Sequence, residues 1–322
     1  MARLSPEDAL VRRISRAAPS FHNASVRLAG GDDAALWEPR RGFETVLTSD
    51  WFLEGSHLLR ELHPPESVGW KCLARAASDV AAMGGVPRCF LLNLAIPPSH
   101  TGEWLEQFLV GLGRAARFLK CALAGGDTTR NERILINVTV IGEVEKSQAV
   151  LRSTAKPGDL LFVTGSLGEA ELGLRLLRKG QAAKNKQAVR KHLYPKPRIA
   201  LGRMIAANRL ASAMMDVSDG LSTDLARLCA ASGVGARIFA GRVPGPGGVP
   251  QAEARRLALH GGDDYELLFA VRPKRARLLN RSFSGIPITW IGEITRKKQL
   301  LVSASDGRVA DLVPGGWDPF RK

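Results

Sequence analysis

The chain has 322 residues, 45% of them hydrophobic, and a formal net charge of +15 from 46 Lys and Arg against 31 Asp and Glu. That length supports one large or two medium globular domains, and 33 glycines without a repeat period exclude a fibrous or low-complexity chain. No apolar run is long enough to cross a bilayer, the charged start lacks the apolar stretch of a secretory signal, and Cys72, Cys89, Cys121 and Cys229 form no C-x-x-C pair, so a cytoplasmic protein with buried thiols is expected, neither membrane-bound nor zinc-caged.

Strand-like and helix-like segments alternate along the first half. Residues 44–50 read as a strand ending in polar residues, and 65–84 as a helix with proline at its start and Gly84-Gly85 to stop it. Residues 89–96 form a strand closed by two prolines, 103–120 an amphipathic helix, 121–124 a short strand and 134–144 another strand. A boundary falls near 145–151, giving domains 1–148 and 149–322. Beyond it come a buried strand at 159–165, helices at 169–178 and 197–208, a strand-turn-helix at 213–232, a loop at 242–250, a strand at 266–271 and a final helix–strand pair. Both halves mix the two element types, so the fold class is α/β in two domains.

The basic excess concentrates in runs such as Arg178, Lys179, Lys184, Lys186, Arg190 and Lys191, a stretch (178–191) with no acidic residue. It reads as a solvated helix face or loop. Aromatic residues, 6% of the chain, do not interleave with it, which argues against nucleic acid as the partner, whereas anionic small substrates suit the charge.

The acidic residues recur beside glycine or hydroxyl residues: Gly31-Asp32-Asp33, Thr48-Ser49-Asp50, Ser78-Asp79, Gly126-Asp127-Thr128, Asp216-Val217-Ser218-Asp219-Gly220 and Gly262-Asp263-Asp264. Several follow apolar runs, so each carboxylate is expected at a strand end or turn, where glycine lets backbone N–H groups approach an anion. Taken singly each is ordinary turn chemistry, and Asp79 has Arg75 four residues back as a simple helix-surface partner. Taken together, converging carboxylates repel unless cations lie between them, and short oxygen ligands suit Mg²⁺ shared with phosphates. No G-x-x-x-x-G-K-[ST], no G-x-G-x-x-G and no protein-kinase motif set is present, so such a phosphotransferase needs a metal-rich site built from loops.

These motifs, in this order and spacing from about Gly30 to Trp317, resemble the thiamine-monophosphate kinase family. The resemblance rests on Gly31-Asp32-Asp33, Thr48-Ser49-Asp50, Lys71 through Asp79 to Gly84, Gly125-Gly126-Asp127-Thr128-Thr129-Arg130, Asp216 to Leu221 and Gly261 to Leu267. It implies the two-domain fold of aminoimidazole-ribonucleotide synthetase, with an N-terminal domain that pairs in a homodimer to form a central β-barrel. It implies ATP as co-substrate, several Mg²⁺ ions, and direct transfer of the γ-phosphoryl group to thiamine monophosphate. By motif position it assigns Asp32, Thr48, Ser49, Asp50, Asp79, Asp127, Asp216 and Asp219 to the metal, and Gly126, Asp127, Arg152, Ser218 and Phe118 to ATP. His57, Asp263 and Trp317 fall to the thiamine phosphate. No residue is assigned as a general base, because an acceptor phosphate is already ionised at neutral pH. One departure stands out: Asp263 occupies a position where the family has Glu, one methylene longer.

Overall fold

A computed structural model describes residues 5–17, 25–29, 34–304 and 306–321. Two compact units divide the chain: Met1–Val80 with Gly85–Ser147, and Ala81–Gly84 with Gln148–Lys322.

The first unit contains α1 (Pro6–Ala17), β1 (Val26–Leu28), β2 (Leu36–Trp37), β3 (Phe43–Leu53), α2 (Pro65–Ala82), β4 (Val86–Ile96), α3 (Glu103–Leu119), β5 (Ala122–Arg130) and β6 (Leu135–Glu145). Its main sheet has the order β3-β6-β4-β5, antiparallel except for β4 and β5, which α3 joins as a crossover. Alternation explains the packing. Phe90, Leu92, Leu94 and Ile96 of β4 and Ile136, Val138 and Val140 of β6 are buried on one face. The buried Val80 of α2 and Leu105, Phe108 and Leu112 of α3 belong to the same hydrophobic interior. On the opposite face Cys89, Ala122 and Ala124 are buried with Val26, Ala35 and Trp37 packed against them, whereas β3 leaves Leu47 at 67% and Trp51 at 56% exposure. β5 is longer than its sequence pattern suggested. Pairing with β4 continues from Ala122 through Arg130, so Gly126 and Asp127 lie within a strand rather than in a turn after one. Asp50 likewise sits inside β3, since the ladder to β6 runs the whole length from Phe43 to Leu53.

The second unit contains β7 (Leu160–Thr164), α4 (Glu169–Arg178), α5 (Lys186–Leu193), α6 (Ile199–Ala207), β8 (Ala213–Val217), α7 (Leu221–Ser232), β9 (Gly235–Phe239), α8 (Gln251–His260), β10 (Glu266–Val271), α9 (Pro273–Ala276), β11 (Ser282–Phe283), β12 (Ile286–Thr295), β13 (Leu300–Ser303) and β14 (Val309–Asp311). Its sheet has the order β14-β13-β9-β12-β7-β10-β8, with β11 paired to β12. β8 and β10 are buried along their whole length, which is why they read as continuous apolar runs. One face packs Leu221, Leu225 and Leu228 of α7 with Ala258 and Leu259 of α8; the other packs Leu201 and Ile205 of α6. The C-terminal part is mostly strand, where the sequence suggested a helix and a strand; its one helix, α9, is a single turn. All four cysteines are free and buried. Among the described residues no helix is long and apolar enough to cross a membrane.

Candidate functional site

In the first unit the strand period of two sorts the Thr48-Ser49-Asp50 triplet. Thr48 and Asp50 share the face of β3 that lies under α2, where the Thr48 hydroxyl donates to Asp79 Oδ2 across 2.5 Å. Arg75, one turn earlier on α2, lies over the Phe52 ring at 5.2 Å. Asp79 thus reaches the sheet.

Ser49 points to the opposite face, into a polar row that crosses the sheet. Asn137 Nδ2 donates to Ser49 Oγ (3.1 Å), Asn93 Nδ2 donates to Asn137 Oδ1 (3.4 Å), and the Asp127 backbone N–H donates to Asn93 Oδ1 (3.1 Å). Asn93, Asn137 and Asp127 stand side by side in register. Before Asp127, Gly126 has φ +148°, and a Cβ there would lie 1.9 Å from the Leu92 carbonyl oxygen. Only glycine lets β5 lie this close to β4. β3 and β5 are opposite edges of the sheet, so three strand spacings, about 14 Å, separate Asp50 from the position of Gly126 in the same row. Thr48, Asp50 and Asp79 therefore form one group, and Asp127 stands apart from it within the chain.

In the second unit three remote segments interlock. The Asp263 N–H donates to the Ser218 carbonyl (2.7 Å), and the Trp317 N–H donates to the Asp219 carbonyl (2.8 Å). Gly315 and Gly316 donate to the Ser222 and Thr223 hydroxyls (3.1 and 3.0 Å). Ser218, Asp219, Asp263 and Trp317 are therefore brought together, while Asp216, buried, sits at the end of β8 two residues before Ser218. The Asp219 carboxylate pairs with Arg227 at 2.5 Å.

Two buried carboxylates hold these loops. Asp224, in the first turns of α7, accepts the backbone N–H groups of Ser218, Asp219 and Gly220 (3.1, 3.0 and 3.0 Å). Burial, and then the neighbouring Asp219 charge, push it up to about 7, against the opposing pull of Arg227 and the amides. Asp264 accepts from Gly168 and Ala170 at the start of α4, and burial pushes it up to about 7 as well. Glu266, fully buried, goes the other way: burial alone would raise it, but Arg198 and Lys191 hold it below the usual carboxylate range.

Other expected residues lie elsewhere. Arg152 gives its carbonyl to the Ser232 hydroxyl (2.8 Å), at the end of α7 away from Ser218 and Asp219 and separated from them by the helix length, about 18 Å. Phe118, 50% exposed near the end of α3, packs on Trp70 with ring centroids 5.4 Å apart, at the end of β5 remote from Asp127. His57 sits in the turn after β3, where its Nδ1 accepts the Leu53 N–H at 3.2 Å, which assigns the remaining ring nitrogen as the donor of the neutral form. Asp32 lies outside the described residues. Among the described residues no three His, Cys, Asp or Glu side chains gather into a metal-holding group.

The sequence reading missed Asn93, Asn137, Asp224, His192 and Tyr265. A signal existed for the first three. Each Asn is the lone amide in an apolar strand, where it needs a partner, and Asp224 falls in the first turns of a helix that follows a glycine turn.

Comparison with known proteins places this geometry in a family. Residues 31–144 match the model described as AIR synthase related protein, N-terminal domain, and residues 156–304 the corresponding C-terminal domain. The thiamine-monophosphate kinase of Bacillus subtilis (strain 168) is 34% identical over 313 residues, covering 94% of this chain and 96% of that one. The crystal structure of thiamine-monophosphate kinase from Stenotrophomonas maltophilia K279a superposes with a TM-score of 0.83 at 35% identity, covering 95% of this chain and 98% of the other. A structure of AaThiL complexed with AMPPCP and TMP superposes at 0.77 with 33% identity, covering 90% and 91%. The chain belongs to the thiamine-monophosphate kinase family, with the two-domain AIR synthase related fold.

Proposed function

We propose that the chain transfers the γ-phosphoryl group of ATP directly to the phosphate of thiamine monophosphate, giving thiamine diphosphate and ADP. The observation that carries this reading is the interlock of Ser218, Asp219, Asp263 and Trp317, which assembles family motif residues from three remote segments, in a chain 33% identical to a relative complexed with AMPPCP and TMP. Ser218 serves ATP; Asp263 and Trp317 take the heteroaromatic part of the substrate, the carboxylate as acceptor and the half-exposed indole as a stacking surface. His57 offers a ring N–H to the thiamine phosphate. Arg152, Gly126 and Phe118 belong to the ATP side. Positioning and charge neutralisation supply the rate, without a general base.

The donor set fits Mg²⁺. Thr48, Asp50 and Asp79 on one face of the first unit's sheet, Ser49 and Asp127 in its polar row, and Asp216 and Asp219 in the second unit offer oxygen only, and Mg²⁺ is an ion that takes one or two carboxylates and leaves its other positions to water and phosphate. When bound, Mg²⁺ neutralises phosphate charge during transfer.

The active form is a homodimer closed through the N-terminal domain, residues 1–148; residues 149–322 form the C-terminal domain. The exposed Leu47 and Trp51 on β3, and the places of β3 and β5 as the edges of the sheet among the described residues, support a barrel in which β3 of one copy pairs with β5 of the other. That pairing brings Asp127 of one copy beside the Thr48–Ser49–Asp50 stretch of its mate. A cytoplasmic location accords with four buried free thiols.

The test is incubation of the purified protein with ATP, Mg²⁺ and thiamine monophosphate, with chromatographic detection of thiamine diphosphate. Stoichiometric thiamine diphosphate and ADP are expected; ATP hydrolysis without thiamine diphosphate, or no turnover at all, rejects the reading.

A further inference from the structure

The basic run at 178–191 is the one prominent sequence feature to which phosphoryl transfer assigns no role. Its end turns partly inward: Arg190 is exposed, but Lys191 and the residue that follows it are not. α5 carries His192 inward, 2% exposed, with Nδ1 3.7 Å from Asp263 Oδ2. Lys191 beside it reaches the Ser166 carbonyl (2.5 Å) and Glu266 (3.5 Å). The other Asp263 oxygen, Oδ1, accepts the hydroxyl of Tyr265 at 2.8 Å, and Tyr265 is itself 2% exposed. A carboxylate that is 29% open to solvent is thus hydrogen-bonded at Oδ1 by one buried side chain and faced at Oδ2, 3.7 Å away, by another.

The backbone of this turn is strained. Asp263 and Tyr265 have φ of +67° and +52°, the left-handed region that non-glycine residues avoid. Such geometry persists only where surrounding contacts over-determine it. Here they do: the Asp263 and Tyr265 N–H groups donate to Ser218 and Val217, Asp264 is locked under the start of α4, and Glu266 is locked by Arg198. A rigid turn with a short side chain has little freedom to seek its ligand. The carboxylate direction is therefore set by the Tyr265 hydroxyl on one oxygen and the His192 ring facing the other.

We propose that His192 and Tyr265 are positioning residues for thiamine monophosphate: they fix the Asp263 carboxylate, one oxygen each, so that it meets the cationic heteroaromatic part of the substrate. The inference rests on the kinase reading above. It gives the inward end of the basic run a role in substrate orientation and leaves the ATP phosphates to other residues.

Wild-type turnover, measured first on the full chain, decides the kinase reading by itself. Tyr265→Phe removes one hydroxyl and leaves the ring in place; His192→Phe removes the imidazole, and His192→Gln retains a side-chain donor. Tyr265→Phe and His192→Phe are each expected to raise KM for thiamine monophosphate about tenfold, with kcat and KM for ATP within about twofold. His192→Gln is expected to recover most of that loss, and neither change is expected to add to Asp263→Asn. A second readout needs no turnover. The chain has only two tyrosines, so ¹³Cζ-tyrosine labelling gives a Tyr265 resonance, identified by its absence in Tyr265→Phe, that shifts in both Asp263→Asn and His192→Phe. A Tyr265 resonance unmoved by His192→Phe, additivity with Asp263→Asn, or an equal rise in KM for ATP overturns the proposal. If His192→Phe does not fold, Tyr265→Phe and His192→Gln carry the same comparison.

Discussion

The Trp317 N–H donates to the Asp219 carbonyl across 2.8 Å, and a Cβ on the preceding Gly316 would stand 2.0 Å from that same oxygen. The C-terminal segment can hold Trp317 against the Ser218–Asp219 turn only while residue 316 lacks a side chain. Gly316→Ala is expected to displace the indole and raise KM for thiamine monophosphate about tenfold, with little change in KM for ATP. Steady-state kinetics in both substrates checks this; unchanged KM for thiamine monophosphate refutes the placement of Trp317.

The separation of Asp50 and Asp127 on opposite sheet edges makes the composite site testable by complementation. Asp50→Asn and Asp127→Asn, each assayed alone, are expected to lose on the order of a hundredfold or more in kcat. Mixed and allowed to exchange subunits, they recover about a quarter of wild-type activity, because statistical exchange makes about half the dimers mixed and each mixed dimer holds one site with both carboxylates intact. Mixtures as inactive as the separate variants would place both residues in a site formed within one chain.

Thr48 and Asp79 join β3 to α2 through a 2.5 Å hydrogen bond. Thr48→Val keeps the shape and removes the donor. It is expected to cost about 1 kcal/mol and to lower Tm by about 2–4 °C. The same change removes one contact that orients Asp79, so the Mg²⁺ concentration for half-maximal activity rises. Calorimetry and a Mg²⁺ titration read the two effects separately.

Asp224 yields a pH prediction with a definite sign. Its folded value, about 7, lies above the ordinary 3.8, so between about pH 4 and pH 7 the native chain binds a proton that the unfolded chain has released. Stability from this group therefore falls as pH rises through that window, and the loss is complete above about 7. Asp224→Asn removes the titration while keeping an acceptor for the three amides. The Tm difference, variant minus wild type, should become more positive from pH 4 to pH 8. A difference that stays flat or reverses shows that the three amides and Arg227 outweigh burial.

Much of the local structure was legible in the sequence. Asp-Gly turns, a proline-started helix at 65–84 and apolar strands at 89–96 and 134–144 announce themselves because each is a local preference, set by side-chain shape and backbone freedom. Position was less legible. The GGDTT stretch reads as a turn, yet it becomes part of β5, because the ladder to β4 outweighs the local bias of two glycines. Asn93 and Asn137 look like blemishes in two apolar strands until the register sets them side by side.

The amino-acid order alone determined which residue types this protein has to work with: oxygen ligands in glycine-flanked stretches, two mixed α/β units, and the motif sequence of its family. Only the tertiary structure decided who faces whom. Strand alternation turned Ser49 away from Thr48 and Asp50, sheet order sent Asp127 to the far edge, and loop interlock drew Asp263 and Trp317 to Ser218 and Asp219. The reason is physical. Composition and periodicity are set within a few residues, whereas the meeting of distant carboxylates depends on strand register and close backbone contacts that form only when the whole unit packs.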